Sequence, residues 1–213
     1  MSRLPLPRED GGGRFPGLDV MGLAPHWDAP TTRLVAARLQ VAADLRFFTH
    51  DEGAVAAALF DQLLGQRAEP RVPVLAMVEG RLAEDQTDGW HYETMPEDQQ
   101  AWRDSLAGLD ADAHAVVGPG FAGAGWDEQT ALVRAVQQAG PRDWHGMPAV
   151  RVWSLWTRYA CTAFYSHPWA WDEIGFAGPA YPRGYKNIGV DAREPFEVAD
   201  HHPGLDPASG APR

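Results

Sequence analysis

The stretch "FFTHDEGAV", residues 47–55, constrains this chain more than any other. Thr49 followed three residues later by Glu52 is a capping box: the hydroxyl accepts from the N3 amide while the carboxylate reaches back to the cap amide. Behind it Val55, Leu59, Phe60, Leu63 and Leu64 recur at helical spacing, a stripe that needs a partner to bury it. The pattern predicts a helix over about 50–65, with Phe47 or Phe48 placed to act as a hydrophobic staple.

The same punctuation recurs along the chain. In "RVPVLAMVEGRLAED", Pro73 stands at a first helical position and Val74, Leu75, Val78 and Leu82 share a face. "MPEDQQAWRDSLAGLD" has Pro96 near its start, acids in its first turn, and Trp102, Leu106 and Leu109 inward. "GWDEQTALVRAVQQAG" offers Asp127 as N-cap, Leu132, Val133 and Val136 as a buried side, and Gly140 as a stop. In "MPAVRVWSLWTRYACTAFYSHP", Trp153, Trp156, Ala160, Ala163 and Phe164 follow helical spacing opposite Arg151, Ser154, Arg158 and Thr162, and Pro168 ends the helix at or before His167. A shorter helix is predicted from Thr31 or Thr32 through "RLVAARLQ". No run of alternating β-branched residues predicts a sheet. The reading is a mainly α protein: one helical domain over 14–197 with long, ordered, aromatic/Pro/Gly-rich loops and extended terminal arms, a flexible leader over 1–13 and a disordered tail over 198–213. The arm over 14–30 carries Phe15, Leu18, Val20 and Trp27, apolar residues that need a surface to dock on.

Bulk properties remove several function classes. The formal charge of −11 speaks against nucleic acid, because binding phosphates needs a positive field. One cysteine, Cys161, excludes an internal disulfide, c-type haem attachment and a cysteine-bound iron–sulfur cluster built by this chain alone. The first residues show neither an apolar h-region nor a twin arginine, which points to a cytoplasmic location. No run of about 18 apolar residues occurs, so a soluble chain without a membrane span is expected.

Motifs for chemistry are weak. None of the eight histidines forms a pair with zinc-protease spacing, and "GPGFAGAG" at 118–125 lacks the glycine spacing of a dinucleotide loop. Ser166-His167 has no nucleophile elbow around it. Asp172 and Glu173 lie beside Trp169 and Trp171, which admits a glycoside-acting or carbohydrate-binding reading, with tryptophans stacking on sugar and two acids at hand. Against it stands a structural reading: loop capping, or a salt bridge to Arg183 or Lys186.

The densest feature is "AFYSHPWAWDEIGFAGPAYPRGYKN", residues 163–187: ten of the chain's 22 aromatics fall between Trp153 and Tyr185. Trp, Tyr and Arg are the residues of binding hot spots, and Pro168, Pro179 and Pro182 stiffen the path. These rings either fill the domain's own core or meet a partner. The candidate partner-contact residues are Phe15, Trp27, Tyr165, His167, Trp169, Trp171, Asp172, Phe176, Tyr181, Arg183, Tyr185 and Lys186.

With "RFPGLDV", "HWD", "LRFFT", "GW.YETMP", "WR.SLAGLD", "W.GMPA.RVW.L..RYA" and above all "YSHPWAW.EIGF.GPAYPRGY", the chain resembles the gluconate 2-dehydrogenase subunit 3 family over about residues 14–197. The resemblance implies a non-catalytic small (gamma) subunit without a redox centre or cofactor of its own. It would accompany an FAD-containing large subunit of the glucose–methanol–choline type that oxidises gluconate or a related sugar or polyol, often with a cytochrome c subunit as third member. Its implied work is folding, stability and assembly of the flavoprotein. Exported members commonly open with a twin-arginine signal; without one, a periplasmic complex would depend on a signal carried by the partner.

Overall fold

The computed structural model describes residues 13–41, 44–87, 89–190 and 192–206. Among the described residues seven α-helices dominate: α1 (Ala29–Ala37), α2 (His50–Leu64), α3 (Val74–Ala83), α4 (Asp98–Val116), α5 (Trp126–Ala139), α6 (Ala149–Ser166) and α7 (Pro168–Ile174). The mainly helical class is therefore observed. Two-residue strands β1 (Asp143–Trp144) and β2 (Met147–Pro148) pair antiparallel, a ribbon too short to leave an alternating pattern in the sequence. No helix among the described residues is long and apolar enough to cross a membrane.

Helix boundaries follow the chemistry of their ends. The capping box of α2 is present: the Glu52 amide donates to Thr49 Oγ1 at 3.2 Å and the Thr49 amide to Glu52 Oε2 at 2.8 Å. The staple is absent, because the position it needs is Gly53, which has no side chain and is packed by Leu45. Phe48 turns instead onto Trp102, and Phe47 lies under the Arg103 guanidinium. Pro73 is the N-cap of α3 rather than its first residue. α5 starts at Trp126, capped by Gly125 with Glu128 reaching back to its amide, so Asp127 sits inside the first turn instead of capping it. α1 begins before Thr31: the Asp28 carboxylate accepts from the Thr31 amide, and Pro30 occupies the first turn.

The contacts gather into two compact units. One comprises Val41–Arg67 and Pro73–Phe164; the other takes the chain before Val41, the segment Ala68–Val72 and the chain from Tyr165 onward.

In the helical unit, α2 packs on α3, α4 and α5, and α4 on α5. Trp102 lies at its centre, fully buried, with Phe60 and Tyr159 at ring distances of 5.5 and 5.6 Å in tilted and edge-on arrangements. Two polar edges inside this core are matched, whereas the Trp102 indole N–H is buried without a hydrogen-bond partner among the described residues. Trp156 Nε1 donates to Ser105 Oγ at 3.0 Å, and the Tyr159 hydroxyl donates to Asp98 Oδ2 at 2.6 Å. That second bond explains why the buried face of α6 differs from the expected one. Val152, Leu155, Trp156, Tyr159, Ala160 and Ala163 point inward, while Trp153 and Phe164 are only half-buried. Burial, the Asp98 bond and the charge of Asp98 together push the Tyr159 phenol above its ordinary range.

One buried carboxylate organises the approach to α2. Glu79, 1% exposed, accepts from the amides of Arg46, Phe47 and Phe48. Removing such an acceptor strands buried donors at about 1–3 kcal/mol each. A Glu79→Ala variant should lose about 3 kcal/mol of stability in denaturant melts, and Glu79→Gln, which keeps one acceptor oxygen, distinctly less. Wild-type stability of the alanine variant would show that the carboxylate holds nothing.

Candidate partner interface

All twelve residues proposed from sequence fall in the other unit. Its core is Val20, Trp27, Val35 and Trp171, with Met21, Leu23 and Ala24 against it. The arm over 14–30 is thus docked, although not extended: Val20–His26 forms a 3-10 helix that packs on α7. The segment after Pro168, read as loop, is α7, because Pro168 sits in its first turn and His167 caps it. Asp172 Oδ1 accepts from the Val20 amide at 2.8 Å, which ties arm to helix. Trp171 Nε1 donates to the Tyr165 carbonyl at 2.6 Å, Arg38 Nη1 donates to the Ser166 carbonyl at 2.8 Å, and the Arg38 guanidinium lies over the Trp171 ring.

Two glycines shape the chain beyond α7. Gly175, at φ 75°, ends the helix in the left-handed region, and a Cβ there would meet the Phe15 ring at 2.5 Å. Gly178, at φ 77°, would put its Cβ 2.5 Å from the Trp27 indole. The two arm aromatics therefore lie on bare backbone. Further on, Arg183 Nη2 donates to the Ala177 carbonyl at 2.6 Å and its guanidinium rests 3.7 Å from the Phe196 ring centre. Glu194 accepts from the Asn187 amide at 2.5 Å and from that of Lys186; these bonds hold its carboxyl below the usual range. The expected disordered tail is partly ordered. Arg14 grips Asp200 and the carbonyls of His202 and Leu205, and the His201 amide returns a bond to the Arg14 carbonyl. Residues 207–213 and, apart from Gly13, the predicted leader over 1–13 lie outside the described residues.

The outward side of this ribbon is apolar. Tyr165, Ile174, Phe176, Tyr181, Tyr185, Ile188 and Val190 are all exposed, Tyr181 at 68% and Val190 at 96%. Of the sequence candidates, Tyr165, Phe176, Tyr181, Tyr185 and Lys186 are therefore on the surface. Phe15, Trp169, Asp172 and Arg183 are half-buried. Trp27, His167 and Trp171 are buried, which corrects their assignment as contact surface: they build the ribbon's own core. The carbohydrate reading loses its footing here, since Trp171 offers no open face and Asp172 is bonded to the arm. Ile174, Ile188 and Val190, not among the sequence candidates, are exposed beside them; isolated β-branched residues without period 2 or 3.6 in a Gly-rich stretch were the available signal.

A profile of the family described as gluconate 2-dehydrogenase subunit 3 matches residues 50–178, more than half of the chain. The chain belongs to that family. Comparison with curated proteins and with solved structures returns no match. The span shared with the gluconate 2-dehydrogenase subunit 3 family runs from α2 through the Gly175–Gly178 turn, so it holds the start of the ribbon and stops short of Tyr181.

His167 links this family segment to pH. Its Nδ1 accepts from the Trp169 amide at 3.2 Å, a bond only the unprotonated ring can make. Burial, with the nearby Arg38 charge adding to it and a bond to the Arg38 backbone opposing it, lowers its pKa to about 4. The unfolded chain, titrating near 6.5, binds this proton first. The stabilisation is thus complete above about pH 6.5 and is lost as the pH falls towards about 4. Between pH 7 and 5, His167→Asn, which keeps an acceptor for the cap and cannot titrate, should lose less melting temperature than wild type; parallel curves would exclude His167 as the source. Gly175→Ala and Gly178→Ala should each lose about 1–2 kcal/mol from left-handed backbone alone, and more from the displaced rings of Phe15 and Trp27. Unchanged denaturation midpoints would refute that packing.

Proposed function

We propose that this chain is a non-catalytic small subunit whose ribbon over 165–190 is covered by the flavoprotein subunit of a sugar or polyol dehydrogenase. The single observation that carries the reading is the set of seven large apolar side chains held outward on an anchored segment that begins inside the family match. Apolar surface of that kind marks an interaction site. Tyrosines lose few rotors on binding and bring a polar tip, which suits a contact formed with a folded partner. A standard interface buries about 800 Å² on each side, worth roughly 20 kcal/mol gross per side at about 25 cal/mol per Å², before association and ordering are subtracted. A contact of that size makes two chains stable together and poor apart. On this reading FAD belongs to the partner, of the glucose–methanol–choline type, a cytochrome c subunit is the candidate third chain, and the partner's own targeting decides the compartment. Gluconate is one candidate substrate among related sugars and polyols.

Producing the flavoprotein with and without this chain tests the proposal. Yield, flavin content and activity should fall several-fold in its absence, and Phe176→Ala combined with Tyr181→Ala should reproduce most of that loss. Equal values throughout would end the reading. Lys186 supplies a second measurement, because it is the only lysine in the chain. An amine–amine cross-linker should join Lys186 to the flavoprotein, and Lys186→Arg should abolish that product.

A further inference from the structure

The helical unit carries a separate surface that the ribbon does not explain. Arg151 lies on the outer side of α6 with its guanidinium carbon 3.6 Å from the centre of the Tyr92 ring. That distance is contact with the face of the ring. Among the described residues Arg151 makes no hydrogen bond and no ion pair. Two acids of this surface are engaged elsewhere: Asp98 by the Tyr159 hydroxyl and Arg158, Glu97 by His91. Trp90, 53% exposed, stands edge-on to Tyr92 at 5.1 Å, with the Arg158 guanidinium 5.6 Å from its ring centre. Beside them is a cleft of about 20 Å³, also bordered by Ser154, with room for one water-sized group.

We infer that Trp90, Tyr92 and Arg151 form a second docking point, which receives a carboxylate side chain of the flavoprotein subunit; this rests on the partnership proposed above. A stacked guanidinium with no partner among the described residues is pre-organised for bidentate capture of a carboxylate, so little rotor freedom is lost when the pair forms. The flanking Trp and Tyr can then exclude water from it, the arrangement of a hot spot. Net charge favours a single carboxylate over a polyanion. At −11 the protein repels an extended run of phosphates, whereas one acid set into a local cation meets attraction at short range. The small cleft beside it is lined by Asp98 as well as by Arg151 and Arg158, so the incoming carboxylate is placed at the outer edge of the Arg151 guanidinium and not inside the cleft.

The test titrates the purified, FAD-loaded flavoprotein from the same source with wild-type chain and with Arg151→Lys, Arg151→Ala and Arg151→Glu. Arg151 has no hydrogen-bond or ion-pair partner among the described residues, so the variants should lose only its stacking on Tyr92, a few degrees of melting temperature at most. Kd should rise by about tenfold or more for Arg151→Ala, less for Arg151→Lys, which keeps charge without the fork, and most for Arg151→Glu. Arg151→Glu binding as tightly as Arg151→Ala would overturn the carboxylate assignment, and wild-type Kd for all three would overturn the docking point. If the Phe176→Ala, Tyr181→Ala chain fails to bind while the Arg151 variants bind normally, the ribbon proposal stands and this one falls. If wild-type chain does not bind, both fall.

Discussion

Everything outward on the ribbon depends on two left-handed glycines that let aromatic rings lie against backbone. At Gly175 and Gly178 the missing Cβ is the space taken by Phe15 and Trp27. Trp27 joins Val20, Val35 and Trp171 in the core of their unit, so the N-terminal arm holds the C-terminal ribbon. A segment rich in Pro and Gly would otherwise collapse its apolar groups on one another, because ordering each residue costs about 1–2 kcal/mol and burial is the main compensation. Anchored on one side by the arm and by Asp172, it keeps Phe176, Tyr181 and Tyr185 facing water.

Each unit buries some of its aromatic residues and leaves others on the surface. Trp156 and Tyr159 are buried with their polar atoms bonded to Ser105 and Asp98, which offsets the penalty for burying them. The ribbon tyrosines keep their surface. Arginine repeats the contrast: Arg103 is fully occupied by Glu52 and the Phe47 carbonyl, whereas Arg151 is stacked but, among the described residues, unpaired. In a protein of such acidic balance an unpaired arginine is a place where a partner's charge can be accepted.

Much of this was legible in the sequence, for reasons that are local. The box at Thr49 and Glu52 closes within one turn, so no distant contact could overrule it. The apolar faces of α2 and α4 follow from spacing, as does the stop before Pro168. The failures were set by contacts far apart in sequence. The inward turn of Tyr159 needs Asp98, sixty-one positions away, and Phe48, with only Gly53 at the staple position, finds its partner in the distant Trp102. The ordering of 198–206 needs Arg14 at the other end of the chain, and nothing near Asp200 announces it. Within the candidate interface, residue types marked a segment and could not divide it into faces: Trp171 and Tyr181 have similar chemistry and opposite exposure.

The sequence alone determined a mainly helical protein, the caps and stops of its helices, the concentration of aromatics after Phe164 and the resemblance to a dehydrogenase small-subunit family. These are local or compositional properties, written in spacings of a few residues. Only the tertiary structure decided which aromatics are spent on the core and which stay on the surface, that Arg14 reaches Asp200, and that the Arg151 guanidinium stands on Tyr92. Burial and pairing are properties of neighbours in space, and a one-dimensional pattern names the residues that can meet without saying which of them do.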